Sequence, residues 1–545
     1  GDIDVLEIVA PVTGQMDVTA AAHGRGSGIA PMLRADDSTG DQLAIDEDGD
    51  ANCAVSFDVV EGETYYLTIA SLDQNTGRYS LNVLTTPQVD PDPAPDPDPD
   101  PDPDPDPDPD PDPDPDPDPV PPEEPTPGDF VTGWIRQEAG GTRLIVVGTN
   151  SNDIITLAVS GSVTTLTCAT ASYDFAGVFE NISVYGFAGD DVIRMDHSVV
   201  GSSVLYAGDG NDTVYDNSLG AAGVYGGAGD DLLISLGGGV DSLWGDAGSD
   251  SFWVDTGDSL GDASSAEYSA TAVHRISQFY QPYSSSPSSP DYVSMEINGQ
   301  NFIDPTPTSY GRDWVNFASS PLFADGPEYN DIRQGSVGDC YFLACLASMS
   351  DTDPNVIRQM VTALGDGTYA VRFFRNNQAV YLRLDADLPV YSGSSLSYAK
   401  LTPDGETWVA ILEKAYAHFR YGQNSYASIS GGWMSTVFRE MTNLSTSTSW
   451  TGGSQVALAS VISTALNNGH AVTIGSYGNA PSPIVGSHAY MVKSIESVGG
   501  ETIVTVYNPW GVDGKTYDSN YSDGLLRLDL TQVQACFSAM VISMA

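Results

Sequence analysis

The 545-residue chain is short of positive charge: 20 Lys and Arg stand against 74 Asp and Glu, a formal net charge of −54. A surface this acidic repels phosphate and argues against nucleic acid as a partner. Cysteine is scarce too. The five present, Cys53, Cys168, Cys340, Cys345 and Cys536, do not make a disulfide framework in so long a chain. There is no CxxC pair and no HExxH, so zinc is not indicated. No run of 18 apolar residues exists, so no transmembrane segment is expected. The chain opens on Gly1 with no charged-then-apolar leader, and it reads as a processed piece of something longer.

What is present is unevenly spread. Hydrophobic residues make up 41%, enough for globular cores, and the length calls for several domains. Residues 1–86 hold 15 acids and 3 bases, 87–127 hold 16 acids and no base, and 128–265 hold 19 acids and 3 bases. The last 280 residues hold 24 and 14, an ordinary balance. The predicted organisation is a β-sandwich at 1–86, a linker at 87–127, a β-roll at 128–264, a connector at 265–310 and an α+β domain at 311–545.

In the linker, proline alternates with aspartate almost without break, 14 Asp between Asp90 and Asp118. Proline forbids helix and sheet ladders and the charges repel, so an extended, solvated spacer is expected. Before it, alternating segments such as Asp4–Val9, Tyr65–Ile69 and Tyr79–Val83 predict short strands of an all-β sandwich. The GDID opening at 1–4, GETYY at 62–66 and TGRY at 76–79 resemble the pre-peptidase C-terminal domain that accompanies secreted bacterial peptidases.

Residues 128–264 repeat. GTNSND at 148–153, GFAGDD at 186–191, AGDGND at 207–212, GGAGDD at 226–231 and GDAGSD at 245–250 each run into a short apolar strand. They resemble the haemolysin-type nonapeptide of repeats-in-toxin proteins, which stacks as a parallel β-roll around calcium. Glycines permit the tight turn, and aspartate supplies a hard oxygen for a hard cation. The candidate calcium ligands are Asp153, Asp190, Asp191, Asp209, Asp212, Asp230, Asp231 and Asp250. The copies lie 38, 21, 19 and 19 residues apart, close to one turn of two nine-residue units. Acidic loops should then line one edge only, and the 38-residue gap should hide a turn near Cys168 whose loop has lost its ligands. A Ser/Pro-rich stretch at 282–290 reads as connector.

Chemistry is concentrated after Gly311. Gly338-Asp339 closes a loop and Cys340 opens an apolar segment, so the thiol is expected at a helix N-terminus, where it ionises more easily. Gln334, six residues earlier, could fold its amide beside the sulfur as an oxyanion donor. Cys345 reads as core. A thiolate needs a base and an orienter for that base. Of six histidines, His488 enters a strand after a Gly/Pro loop, and Asn508 leaves a strand twenty residues later, followed by Trp510 as a cover against water. The triplet DTG at 255–257 spells an aspartic-protease motif, but such enzymes need two, and no second exists.

Cys, His and Asn in this order, with QGxxGDC at 334–340, LEKAYA at 412–417, HAY at 488–490 and NPWG at 508–511, resemble the calpain family of papain-like cysteine proteases. The resemblance implies Cys340 as nucleophile, His488 as general base and acid, Asn508 as orienter and Gln334 as oxyanion donor. It also implies Gly431 and Gly432 as cleft glycines against which a substrate backbone lies, and protein or peptide substrates. A core calcium would fall to Asp331, Glu413 and the Gly326 carbonyl, while the second family calcium site retains chiefly Asp523. The expectation is a calcium-dependent endopeptidase forming a thioester acyl-enzyme, located outside the cell or at its surface by the company of its modules. The alternative is a calcium-dependent adhesion or scaffold protein with a vestigial protease domain.

Overall fold

The computed structural model describes the strands between residues 3 and 87 and, apart from positions 129, 139–140, 170, 310–312, 403, 516 and 545, residues 125–544. The Pro–Asp run at 88–124 lies outside the described residues, as do Gly1, Gly62, Thr76 and Gly77. The chain divides into two compact units, Gly1–Asp118 and Pro119–Ala545.

In the first unit, Ile3–Val9, Thr64–Ser71, Pro31–Asp36 and Gln42–Asp46 form one antiparallel sheet, in that order. Asn52–Val59, Gly14–His23 and Arg78–Pro87 form another. Alternation does the sorting. Cys53, Val55, Phe57 and Val59 are buried while Ala54, Ser56 and Asp58 are exposed. Met16 and Val18 from one sheet meet Leu33, Ala35 and Leu67 from the other in a shared core.

In the second unit a two-sheet parallel solenoid comes first. Asn181–Ala188, Ser202–Asp209, Ala222–Ala228, Ser242–Ala247 and Ser259–Leu260 stack in one sheet. Ile154–Ser160, Val192–Met195, Thr213–Asp216, Leu232–Ser235, Ser251–Asp255 and Val273–Ile276 stack in the other. The register runs Val184, Leu205, Val224, Leu243, Leu260, each beside the next, and these side chains fill the space between the sheets. On the outer face Tyr185, Tyr206, Tyr225 and Trp244 stack ring on ring, with centroids 5.1, 5.0 and 4.6 Å apart.

The 38-residue interval is not a degenerate turn. Gly141–Val147 pairs directly with Asn181–Ala188, and Ile154–Ser160 directly with Val192–Met195. The extra residues leave the stack as two antiparallel strands, Val163–Cys168 and Ala171–Ala176, that extend one sheet sideways. The Thr-rich alternation there suits a two-sided strand and has no glycine loop with which to turn the roll.

The roll and the region after it share a core. Tyr215, Ile234, Trp253 and Ile276 of the roll pack with Phe279, Val293, Ile297 and Phe302 of the expected connector and with Leu364 and Ala370 beyond it. Polar ties cross the same junction: Gln359 Nε2 donates to Ser251 Oγ at 2.7 Å, and its Oε1 lies 3.0 Å from His274 Nε2. His274 stacks on Trp253 at 3.7 Å, and burial together with Arg372 pushes its pKa down to about 3, so it is a neutral core residue.

The C-terminal region has two lobes. In one, the helices Cys340–Thr352, Trp408–Phe419 and Met434–Thr442 pack with Thr368–Arg375 and Gln378–Asp385. The other is a six-stranded antiparallel sheet, in order Thr446–Trp450, Phe537–Ser543, Val472–Ser476, Ala489–Val498, Glu501–Tyr507 and Leu525–Asp529, with its own core. Cys340 opens a helix of the first lobe, and His488 precedes a strand of the second. No helix among the described residues is long and apolar enough to cross a membrane.

Candidate active site

The helix Cys340–Thr352 is buried from Tyr341 to Ser350, and Ser348 Oγ accepts the Val472 N–H of the sheet lobe at 2.8 Å. Ala489–Val498 and Glu501–Tyr507 form an antiparallel pair with Met491 opposite Tyr507. That register brings the residue before the first strand, His488, beside the residue after the second, Asn508. His488 Nε2 lies 2.8 Å from Asn508 Oδ1. The same oxygen accepts the backbone N–H of Trp510 at 3.1 Å. A backbone N–H can only donate, so this atom is the amide oxygen and His488 Nε2 must carry the hydrogen. Nδ1 therefore keeps its lone pair. Ser476 Oγ accepts the His488 backbone N–H at 2.9 Å, and the Trp510 ring lies 4.9 Å from the imidazole.

The thiol of Cys340 interacts with the backbone N–H of Ala489, the residue next to His488. That contact joins the helix of one lobe to the strand that follows His488 in the other. Burial and the neighbouring Asp339 push the thiol pKa up, against the lowering by the Ala489, Tyr341 and Cys340 N–H groups. This reverses the expectation of an easily ionised thiol: desolvation at this site exceeds what the helix terminus returns. Burial likewise pushes His488 down to about 4, while its bond to Asn508 works the other way. Each group alone resists charge.

Gln334 has its side-chain amide engaged within its own loop. Its backbone N–H donates to the Pro509 carbonyl at 2.8 Å, which ties its loop to the Asn508 turn. Its Nε2 donates to Val337 O and to Asp339 Oδ1, both at 2.8 Å, while Oε1 is buried without a partner. Gly431 donates to the Gly338 carbonyl at 2.8 Å and has φ +76°, and a Cβ on Gly432 would meet the Tyr341 ring at 2.4 Å, so neither glycine tolerates a side chain.

The pairing of two carboxyls beneath this site escaped the sequence reading. Asp339, fully buried, accepts from Gln334 and pairs with the buried Glu413, whose oxygens accept the Ala399 N–H at 3.0 and 3.2 Å. Burial and Asp339 push Glu413 well up, so a proton lies within the pair. Glu413, grouped on the sequence with Asp331, is therefore engaged elsewhere. Beside Asp331 stands Glu406, whose Oε1 accepts the Ala324 and Asp325 N–H groups and whose Oε2 is buried without a partner. Asp331 accepts from Glu328 N at 2.7 Å and Trp408 Nε1 at 3.2 Å, and burial raises its pKa to about 6. Gly326 lies under Arg358, whose guanidinium occupies the space a Cβ would need. Asp523 takes no part in this group; it accepts the Leu525 N–H at 2.9 Å.

In the roll the aspartates form ladders. Asp153 N donates to Asp191 Oδ1, Asp191 N to Asp212 Oδ1, Asp212 N to Asp231 Oδ1 and Asp231 N to Asp250 Oδ1, at 2.7 to 2.9 Å. Beside it, Asp190 N donates to Asn152 Oδ1, Asn211 N to Asp190 Oδ1, and Asp230 N to Asn211 Oδ1. Asp209 is exposed and enters through its carbonyl, which accepts Gly189 N. The second oxygens of Asp191, Asp212 and Asp231 are buried without partners. A Cβ at Gly186 would lie 2.5 Å from Asp191 Oδ2 and 2.2 Å from the Ala207 carbonyl, so carboxylate and carbonyl oxygens converge there. Among the described residues no group of three or more His, Cys, Asp or Glu is arranged to hold a metal ion. Buried carboxylates are not confined to this edge. On the other, Asp241 accepts from Ala222 N and Asp258 from Asp241 N, with Asp216 alongside. Those loops lack the repeated glycine–aspartate spelling, which is why the sequence did not show them.

A buried His–Asn pair and a thiol at a helix N-terminus that contacts the residue after the histidine are the elements of a cysteine protease domain. Residues 304–531 match the calpain family cysteine protease. Calpain-type cysteine protease ADL1 of Oryza sativa subsp. japonica is 29% identical over 220 residues, covering 36% of this chain and 10% of that protein. The Calpain-1 catalytic subunit of Macaca fascicularis is 30% identical over 226 residues, 37% of this chain and 31% of its own. Calpain-13 of Rattus norvegicus is 26% identical over 222 residues, 36% and 31%. The chain thus spans a tenth to a third of the length of these relatives, and 304–531 is a calpain-like cysteine endopeptidase domain.

Proposed function

We propose that the chain hydrolyses peptide bonds as a calcium-dependent cysteine endopeptidase acting outside the cell or at its surface. The observation that carries the reading is the His488–Asn508 bond, which leaves Nδ1 with its lone pair to accept a proton. Nδ1 takes the thiol proton as Sγ attacks the peptide carbonyl. The imidazolium then protonates the departing amine, and a thioester remains. Water, activated by the same nitrogen, releases the acid and restores the thiol. Formed together, thiolate and imidazolium cancel charges that burial makes costly singly. A half-turn of the Gln334 amide would bring its N–H groups to where the unpartnered Oε1 now points, to meet the developing oxyanion. Gly431 and Gly432 leave room for a substrate backbone, and Trp510 limits water.

The orphaned carboxylate oxygens and converging carbonyls suit a hard cation, so Asp153, Asp191, Asp212, Asp231 and Asp250, with Asp190 and Asp230 beside them, would hold calcium in repeats-in-toxin fashion. In the protease lobe Asp331, Glu406 and the Gly326 carbonyl would do so. Bound calcium would supply counter-charge to these carboxylates. The sandwich supports a pre-peptidase C-terminal role, and both modules support an address outside the cell. Reduced protein with calcium should cleave casein, less so in EDTA, and not as Cys340→Ala. Equal cleavage by Cys340→Ala would overturn the reading.

A further inference from the structure

A cavity of about 410 Å³ is lined by Tyr341, the residue after Cys340, and by Trp433, the residue after the glycine pair. Its rim is aromatic and wet: Tyr421 is 71% and Trp433 75% exposed. Large exposed rings flanking a concavity mark contact surfaces more often than idle ones. Tyr421 also sits at φ +56°, a conformation costly for a bulky residue and maintained where function needs it.

The walls carry charge of the sign this chain otherwise lacks. Arg420 lies between the Tyr341 and Tyr421 rings, 5.0 and 4.8 Å from their centroids, and its Nη1 donates to the Gly431 carbonyl at 2.8 Å. Arg375 lies 4.2 Å from the Phe419 ring and donates to the Phe419 carbonyl. Neither guanidinium makes a salt bridge among the described residues. The carboxylate lining the cavity, Glu440, accepts the Tyr416 hydroxyl at 2.8 Å. Two guanidiniums therefore stand against one carboxylate, in a chain with 20 bases and 74 acids. Tyr341 follows Cys340 directly, and Arg420 holds the Gly431 carbonyl, so the cavity shares its lining with residues adjoining the nucleophile and the glycine pair.

We propose that this cavity is a side-chain subsite selecting an acidic residue, aspartate or glutamate, close to the scissile bond; the inference rests on the protease reading. Tyrosine and tryptophan faces pack the methylenes, and a planar guanidinium fork receives the carboxylate. The net negative charge of the chain as a whole would otherwise disfavour such substrates, so the subsite would make them a selected class.

The test uses the full chain, reduced and calcium-loaded. Peptides spanning a casein bond that it cleaves carry Glu, Gln or Lys at each of the four positions preceding the bond. At one position Glu should exceed Gln in kcat/KM by about tenfold or more, the scale of one charge-assisted hydrogen bond. Arg375→Gln should bring that ratio to about one, and Arg375→Glu should turn the preference toward Lys. Iodoacetamide labelling of Cys340 in both variants shows that they fold. Absence of any position with a Glu preference, or a preference unmoved in both variants, overturns the subsite. Wild-type protein that cleaves no casein and takes no label at Cys340 overturns the protease reading beneath it.

Discussion

His488 and Asn508 are held 2.8 Å apart by two neighbouring antiparallel strands, and the Trp510 N–H on the same amide oxygen decides which ring nitrogen carries hydrogen. The orienter thus sets a tautomer as well as a direction. Asn508→Ala should leave nucleophile and base present but let the ring turn, lowering kcat/KM by about 10- to 100-fold, the usual cost of losing such a support. His488→Ala should cost more, about 10²- to 10⁴-fold, and Cys340→Ser about as much, since members of one unit are not additive. Peptide hydrolysis rates check all three; an Asn508→Ala enzyme at full activity would contradict this geometry.

The acid limb of activity follows from the same site. His488 must be neutral to accept a proton, and burial lowers its pKa to about 4. Above the ordinary histidine range it is neutral in folded and unfolded chains alike. As pH falls below about 6.5, only the unfolded chain takes up the proton, so this residue progressively destabilises the fold down to about pH 4. kcat/KM measured at brief exposure should hold to near pH 5 and then drop, while irreversible loss at long exposure begins at higher pH.

The roll responds in the opposite sense. Burial raises Asp191 and Asp231 to about 7 and Asp212 and Asp250 to about 6, from 3.8. Groups with raised folded pKa values stabilise most below the unfolded value and lose that contribution as pH rises through the folded one. In EDTA, Tm should therefore be higher at pH 5 than at pH 8. Calcium should lift the pH 8 value most, because it supplies the missing counter-charge. Scanning calorimetry at the two pH values, with and without calcium, reads this directly.

Much of this architecture is written in local pattern. Glycine–aspartate loops spaced by 19 residues specify a stack because each loop must meet its own copy, and QGxxGDC, HAY and NPWG mark the site because few folds would keep them together. The insertion at Val163–Ala176 was not legible: the interval length is shared by a lost turn and a hairpin, and only pairing separates them. Nor was the burial of the connector, where Phe279, Val293 and Phe302 are scattered among Ser and Pro and find partners only in three dimensions. Glu406 and Glu413 lie seven residues apart; which of them meets Asp331 depends on where the Trp408 helix begins, and Glu406 falls just before it.

That shared core makes the roll and protease one folding unit. Gln359→Ala removes the bonds to Ser251 and His274 and should cost roughly 1–3 kcal/mol in denaturant unfolding. In residues 125–545 the loss should appear in a single transition followed alike by roll and protease signals. Two separate transitions would show domains that merely touch.

Whether Cys340, His488 and Asn508 act as one proteolytic unit is tested most directly by the epoxide E-64 and mass spectrometry of reduced, calcium-loaded protein. The predicted result is one adduct, mapped to Cys340, appearing as casein cleavage disappears, with Cys345 unmodified because it is fully buried. An unlabelled Cys340 in a protein that leaves casein intact would contradict the account.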